Sequence, residues 1–308
     1  MTPVPVLEVG GTHAFAALVD PASWTVRPAP TAEVSLQGDA SADALLDALA
    51  SCVAAVSTGP LLAVAIPGPF DYATGIGRFR DVGKFDALHG VDVGAGLAAR
   101  LSPAPQRIAF VNDASAVGLG EWLCGAGRDA DRVVVITLGT GVGSAFVDSG
   151  TVVDHGPRVP PEGYAYRLEI DGRPLEDVVS RRAMLARFRG AGGDPGLDVR
   201  EIARRAAYGD PVAHDAFTGP IVALGSALAP WLARFDAQVL VVGGAMSGSW
   251  SLVEPALRRG LQRADPARDM PIRRGSDTRT AGAVGAVWHA VGESTAQPPR
   301  GGAEGGVQ

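Results

Sequence analysis

The chain has little from which to build a metal or redox centre. Cys52 and Cys124 are its two cysteines in 308 residues. That is too few for a four-ligand zinc site, and both fall in apolar stretches of helical spacing that read as settings for buried thiols. His13, His89, His155, His214 and His289 show no ligand spacing with one another or with the cysteines. Neither Ser180 nor Ser247 has a neighbouring base that would mark a nucleophile. No Gly-Lys-Thr of the Walker type and no GxGxxG stands at a strand-to-helix turn. Excess positive charge is missing too: 27 Lys and Arg against 33 Asp and Glu leave a net −6. That balance argues against a protein built to grip nucleic acid through its phosphates. No apolar run reads as long enough for a membrane span, and no charged segment followed by an apolar core opens the chain. The expectation is a cytoplasmic protein with no nucleic-acid and no membrane partner.

What is present is a globular composition, 46% hydrophobic and 19% charged, in a chain long enough for two sizeable cores. Apolar runs at Val6–Val9, Ala14–Val19, Leu61–Ile66, Arg107–Val111, Val133–Thr137, Ala145–Val147 and Gln238–Val242 read as strands. Helices are expected from Ser41 to Val56, Val91 to Leu101, Ala114 to Leu123 and Leu175 to Phe188. Others are expected at Val199–Tyr208, Pro211–Phe235, from near Ser249, and at Thr280–Val291. Strands alternating with helices define an α/β chain. Two strand–glycine–strand hairpins, each followed by α/β material, suggest two similar halves facing a cleft. The expected first domain is 1–111 with the helix 280–291 added back, the second is 112–279, and 293–308 is a disordered tail rich in Pro and Gly.

The central hairpin, RVVVITLGTGVGSAFV from Arg132 to Val147, turns on Gly139, Thr140 and Gly141. A glycine turn aims backbone N–H groups into one concavity and lets a ligand approach the main chain, and Thr137 and Thr140 add hydroxyl donors; such a turn suits phosphate, or is only a turn. Gly10-Gly11-Thr12 offers the same pair of readings. Glu8, inside the preceding apolar strand, is costly there unless it is paired or works near a cation. Asn112-Asp113 sits where a strand yields to a helix, the usual place for ligand contacts in an open α/β sheet. Asp113 is there either a general base or the N-cap of the helix. Gly243-Gly244 admits a flat nucleobase or ribose, or serves close helix–strand packing. Pro67-Gly68-Pro69 forms a cleft wall or stops a strand.

Taken together the segments EVGGTHAFAALVD, IPGPFD, VNDASAVGLGEWLCGAG, VVVITLGTGVGSAFV and VLVVGGAMS resemble, in order, the motifs of the ROK family (repressors, open reading frames and sugar kinases). The resemblance covers about Val6 to Val291. It implies two ribonuclease-H-like domains of the actin-like ATPase type flanking a cleft. It also implies ATP- and Mg²⁺-dependent transfer of a γ-phosphoryl group to a hexose hydroxyl, usually that on C6. Carried across, Asp113 becomes the base, Asn112 and Gly68 lie on the sugar side, and Gly10 to Thr12 with Gly139 to Gly141 hold phosphate. Gly243 and Gly244 flank the adenosine. A homodimer is also implied.

The chain departs from the pattern in three places. Glu8 stands where the family carries Asp, and would order a metal-bound water over a longer arm. The zinc-binding cysteines are missing, which implies a subgroup without structural zinc. The sugar-contacting histidine has no equivalent; Tyr164, Tyr166 or Arg167 lies near its place, while Glu162 and Glu176 stand for the sugar-binding carboxylates. An altered sugar loop beside an intact Asn-Asp motif points to a glucose-like or amino sugar such as kanosamine or glucosamine. The alternative is a degenerate sugar-binding or sugar-sensing member. A regulator with an N-terminal DNA-binding domain is disfavoured because the first hairpin begins only a few residues in.

Overall fold

The computed structural model describes residues 2–265 and 269–295. Strands β1 (Val4–Val9) and β2 (His13–Asp20) form the first hairpin, and the short β3 (Thr25–Val26) and β4 (Ala32–Ser35) both pair with β2. After helix α1 (Ala42–Ala54), β5 (Leu61–Ile66) joins β1 in parallel. A small hairpin of β6 (Phe70–Asp71) and β7 (Ile76–Gly77), then α2 (Val93–Ala98), lead to β8 (Arg107–Asn112), parallel to β5. Helix α3 (Asp113–Leu123) carries the chain to a second sheet. There β9 (Arg132–Leu138) and β10 (Val142–Asp148) make the central hairpin, with β11 (Thr151–Val152) on its edge.

A two-stranded ribbon, β12 (Glu169–Ile170) with β13 (Arg173–Pro174), precedes α4 (Glu176–Val179), α5 (Arg181–Gly190), α6 (Val199–Ala207) and α7 (Pro211–Phe235). Then β14 (Val239–Gly243) runs parallel to β9, and α8 (Trp250–Ala264) leads to β15 (Ile272–Arg274), parallel to β14. Helix α9 (Thr278–Thr295) ends the described chain.

The two sheets repeat each other strand for strand. The first runs β3-β2-β1-β5-β8, with β4 also on β2, and the second runs β11-β10-β9-β14-β15. In each, an antiparallel hairpin opens the sheet and two parallel strands extend it, so both glycine turns occupy equivalent corners. The inner parallel strands β5 and β14 are apolar throughout because helices cover both faces. On the first sheet α1 packs Leu45 and Leu49 against Leu7 and Leu62, while α9 packs Ala283, Val284 and Val287 against Val6, Ala63 and Ala109. Helix α3 packs Val117 and Leu119 on Val133, Val135 and Val241 of the second sheet.

So α3, which follows the first sheet, covers the second, and α9, which follows the second, covers the first. The two helices cross at backbone contact. A Cβ on Gly285 would fall on the Ala116 carbonyl, and one on Gly120 would fall on that of Ala281. The arrangement is that of two ribonuclease-H-like lobes of the actin-like ATPase type on either side of a cleft.

Several sequence expectations are corrected. The helix expected over 175–188 breaks at Ser180, whose hydroxyl accepts the Ala183 N–H and caps α5 as a separate helix. The helix expected from Val91 is the shorter α2, capped by Asp92. Cys52 is buried, but Cys124 terminates α3 and is exposed. Helix α7 is, after all, long and apolar enough by composition to cross a membrane, and most of its apolar window is buried within the second lobe. Helix α9 continues through 293–295, into the expected tail, while 296–308 lie outside the described residues.

Candidate active site

Asn112 ends β8 and caps α3: its Oδ1 accepts the backbone N–H groups of Ala114 (3.0 Å) and Ser115 (3.1 Å). Its Nδ2 donates to the Tyr72 hydroxyl at 3.0 Å. With the cap filled by Asn112, Asp113 is the first residue of α3, and of its two sequence readings the N-cap falls away. One Asp113 oxygen accepts the Ala114 N–H at 2.9 Å, and the side chain is exposed to the open cleft. Protein crowds it from every other side. That desolvation raises its pKa above the ordinary value, against the pull of the Ala114 N–H and of the Lys84 charge.

A cavity of about 280 Å³ joins Asp113 to Glu8, with Gly10, Thr137, Thr278 and Arg279 in its wall. The first glycine turn and the base of the second hairpin therefore face one space. Glu8 lies under α9, where a Cβ on Gly282 would strike its Oε1. Burial drives its pKa well above the ordinary value; Arg279 opposes this, while the carboxylates of Asp277 and Asp113 add to it. Asp277 caps α9 by accepting from the N–H and hydroxyl of Thr280. Arg279 pairs with Glu33 at 3.1 Å and lies over the Phe15 ring. Among the described residues no group of three His, Cys, Asp or Glu is arranged to hold a metal ion by itself. Glu8, Asp113 and Asp277 do offer the oxygen chemistry of a hard cation that keeps its waters and phosphate ligands.

On the other side of Asn112 a cavity of about 260 Å³ is walled by Tyr72, Ser144, Asp154, Glu162, Tyr164 and His289. Gly68 lies against the Tyr72 hydroxyl. Ser144 holds the loop that follows β11, donating to the Gly163 carbonyl and accepting the Ala165 N–H. Tyr164 stacks on Tyr166 with ring centroids 5.2 Å apart, and burial with that neighbour pushes its pKa up to about 12. Glu162 reaches this cavity but pairs with Arg167 at 2.8 Å. Glu176 does not line it. Its Oε1 accepts the Val142 N–H at 3.0 Å, so this carboxylate braces the turn of the central hairpin.

The remaining expected residues divide in the same way. Gly11 and Thr12 line a second recess beside Glu8 and Glu33. Gly139, Thr140 and Gly141 form the opposite turn, closed by the Gly139 N–H to the Gly141 carbonyl. Gly244 has φ +82° and no room for a Cβ against Leu138, so close packing requires it. The same residue borders a larger open recess of about 630 Å³ with Ser247, Arg274 and Ser276. Gly243 stands next to it, 3.5 Å from the Thr278 hydroxyl were it to carry a Cβ.

Residues without a motif complete the site. Tyr72, Asp154, Asp277 and Arg279 come from irregular segments or helix starts. Glu121, only 1% exposed, takes hydrogen bonds from the Ala126 N–H and from both the N–H and hydroxyl of Ser276. It ties the far end of α3 to the turn that delivers Asp277 and Arg279.

Two lobes of repeated topology, each opened by a glycine-turned hairpin, on either side of a cleft define a member of the actin-like ATPase class. More narrowly, the chain belongs to the ROK family, whose sequence model matches residues 5–166 and 169–293. It is 27% identical over 234 residues to a glucokinase of Thermotoga maritima, covering 68% of this chain and 72% of that one. Its fold superposes on a ROK hexokinase of Thermus thermophilus with TM-score 0.72 at 24% identity, over 96% of this chain and 99% of the other. On a ROK glucokinase of Streptomyces griseus in complex with glucose and AMPPNP the TM-score is 0.74 at 23% identity, over 94% and 100%.

Proposed function

We propose that this chain is an ATP-dependent sugar kinase that moves the γ-phosphoryl group to a hydroxyl, that on C6, of a hexose or amino-hexose. The observation that carries this is the Asn112-Asp113 step: Asp113, relieved of capping by Asn112, lines the cavity of Glu8, Gly10 and Thr137, while its neighbour Asn112 lines the cavity of Tyr72, Glu162 and Tyr164. In the proposed reaction the sugar hydroxyl gives its proton to Asp113 as its oxygen attacks the γ-phosphorus. The bond to the β-phosphate oxygen breaks, and ADP leaves. Little covalent help is needed, because positioning and charge neutralisation dominate phosphoryl transfer. The turns Gly10–Thr12 and Gly139–Gly141 would hold phosphate oxygens, and the recess at Gly243 and Gly244 the adenosine. Glu8, with Asp113 nearby, would hold Mg²⁺ through water, and the bound cation would supply charge neutralisation at the phosphates. The lobes 1–111 with 280–291, and 112–279, would close around both substrates and exclude water.

An amino sugar is favoured by two carboxylates, Asp154 and Glu162, in the wall of the acceptor-side cavity. ADP release from purified protein, measured across hexoses and amino sugars, tests the reading. Turnover with at least one sugar is expected, and fastest with an amino sugar. Sugar binding without turnover on any of them would overturn it in favour of a sensing protein.

A further inference from the structure

Of the 27 cationic Lys and Arg side chains in this sequence, 26 are arginine; Lys84 is the only lysine. The structure brings this one ammonium to the cleft. Its Nζ comes within 3.3 Å of the point where a Cβ on Gly11 would stand, directly on the first glycine turn. Its charge also acts on Asp113. The stem is fixed: the Lys84 Cβ packs on Gly38, and the next residue, Phe85, donates its N–H to the Gly38 carbonyl at 2.7 Å. Phe85 is fully buried at φ +60° with its ring against Phe79, and so anchors the loop immediately behind the lysine. Many of the arginines elsewhere are tied to carboxylates, as Arg100, Arg132, Arg187, Arg273 and Arg279 are. Lys84 has no hydrogen bond or ion pair among the described residues, and it lies in an irregular segment outside the family motifs quoted above.

We propose that Lys84 is a catalytic residue whose ammonium contacts the phosphoryl group in transit between nucleotide and acceptor. The inference rests on the kinase reading above. An unpaired ammonium held between a phosphate-binding turn and the base is placed where three equatorial oxygens gather negative charge. As the acceptor oxygen–phosphorus bond forms and the bond to the ADP oxygen breaks, Lys84 keeps its proton and donates hydrogen bonds only; the hydroxyl proton still goes to Asp113. A compact point charge can follow a phosphorus that moves from one oxygen to the other, whereas a planar guanidinium fork fixes one pair of oxygens. That accounts for lysine at this position in a chain that otherwise uses arginine.

The single lysine makes the test selective in the unaltered protein. Amine modification with trinitrobenzenesulfonate, read by peptide mass spectrometry, can reach one side chain besides the α-amine. A non-hydrolysable ATP analogue is expected to protect Lys84 from it, and ADP to protect far less. Equal labelling with and without the analogue would overturn the proposal, whatever the acceptor sugar is. In kinetics, Lys84→Met is expected to lower kcat by roughly 100-fold or more, with the KM for the sugar and the affinity for ADP little changed. Lys84→Arg is expected to recover only part of it. Alkylating Lys84→Cys with bromoethylamine, which rebuilds the ammonium, is expected to restore turnover, with the wild type treated alike as the control for Cys124. An unchanged kcat in Lys84→Met, or an effect confined to the sugar KM, would overturn the assignment while leaving the kinase reading intact. A wild type without kinase activity would remove the kinase reading, and the labelling result would still stand as evidence on phosphate contact.

Discussion

At the scale of single residues, Asp113 and Glu8 are two carboxylates with raised pKa values and different duties. Asp113→Asn is expected to reduce turnover by roughly 100-fold or more while sugar affinity stays within a few-fold. Because desolvation raises the Asp113 pKa, the acid limb of kcat/KM is expected above the ordinary carboxylate range, and a pH–rate profile checks this. For Glu8 the sign runs toward stability. Its folded pKa is raised, so the folded protein holds the proton more tightly than the unfolded chain. Stability is therefore lost as pH climbs from the ordinary glutamate value through the folded one. Glu8→Gln removes that penalty. Thermal unfolding is expected to show a higher Tm than wild type near neutral pH, converging in acid below the carboxylate range, while turnover falls. The Asn-Asp pair was legible in sequence, but not which member caps the helix. Both residues cap well, and only the point where β8 ends decides it.

At the scale of elements, the crossing of α3 and α9 governs how the lobes meet. Gly120 and Gly285 let the two backbones touch, and a methyl group there must push them apart. Gly285→Ala is expected to cost about 1–3 kcal/mol in denaturant unfolding. An unchanged midpoint would show that the crossing yields freely. Strands β5 and β14 were readable because they are apolar along their whole length, and the two hairpins because glycine breaks them. The helix expected over 175–188 was not read correctly, since Ser180 looks harmless in a helical pattern until its hydroxyl is seen to start α5. Glu176 was misleading for a related reason. It was expected on the sugar side, but the start of α4 turns its carboxylate to the Val142 N–H. Tyr72, Lys84 and Asp277 were invisible because irregular segments carry no period.

At the scale of the whole molecule, the equivalent corners of two repeated sheets bring Gly10 of the first hairpin and Thr137 at the base of the second to one cavity. Sugar and nucleotide together are expected to reduce the radius of gyration in solution scattering, as the lobes close on α3 and α9. A radius indifferent to both ligands would count against closure. The duplication was foreshadowed by the paired glycine hairpins, and the matching strand order makes it explicit. The exchange of helices between lobes also bears on how the protein is made. All strands of the first sheet have been synthesised by residue 112, yet the helix that shields one face of it spans Thr278–Thr295. On the ribosome that face, with Val6, Ala17, Ala63 and Ala109, waits bare while most of the remaining chain emerges. The lobe translated first is thus expected to be the one completed last, with its maturation as the long-range, slow step of folding.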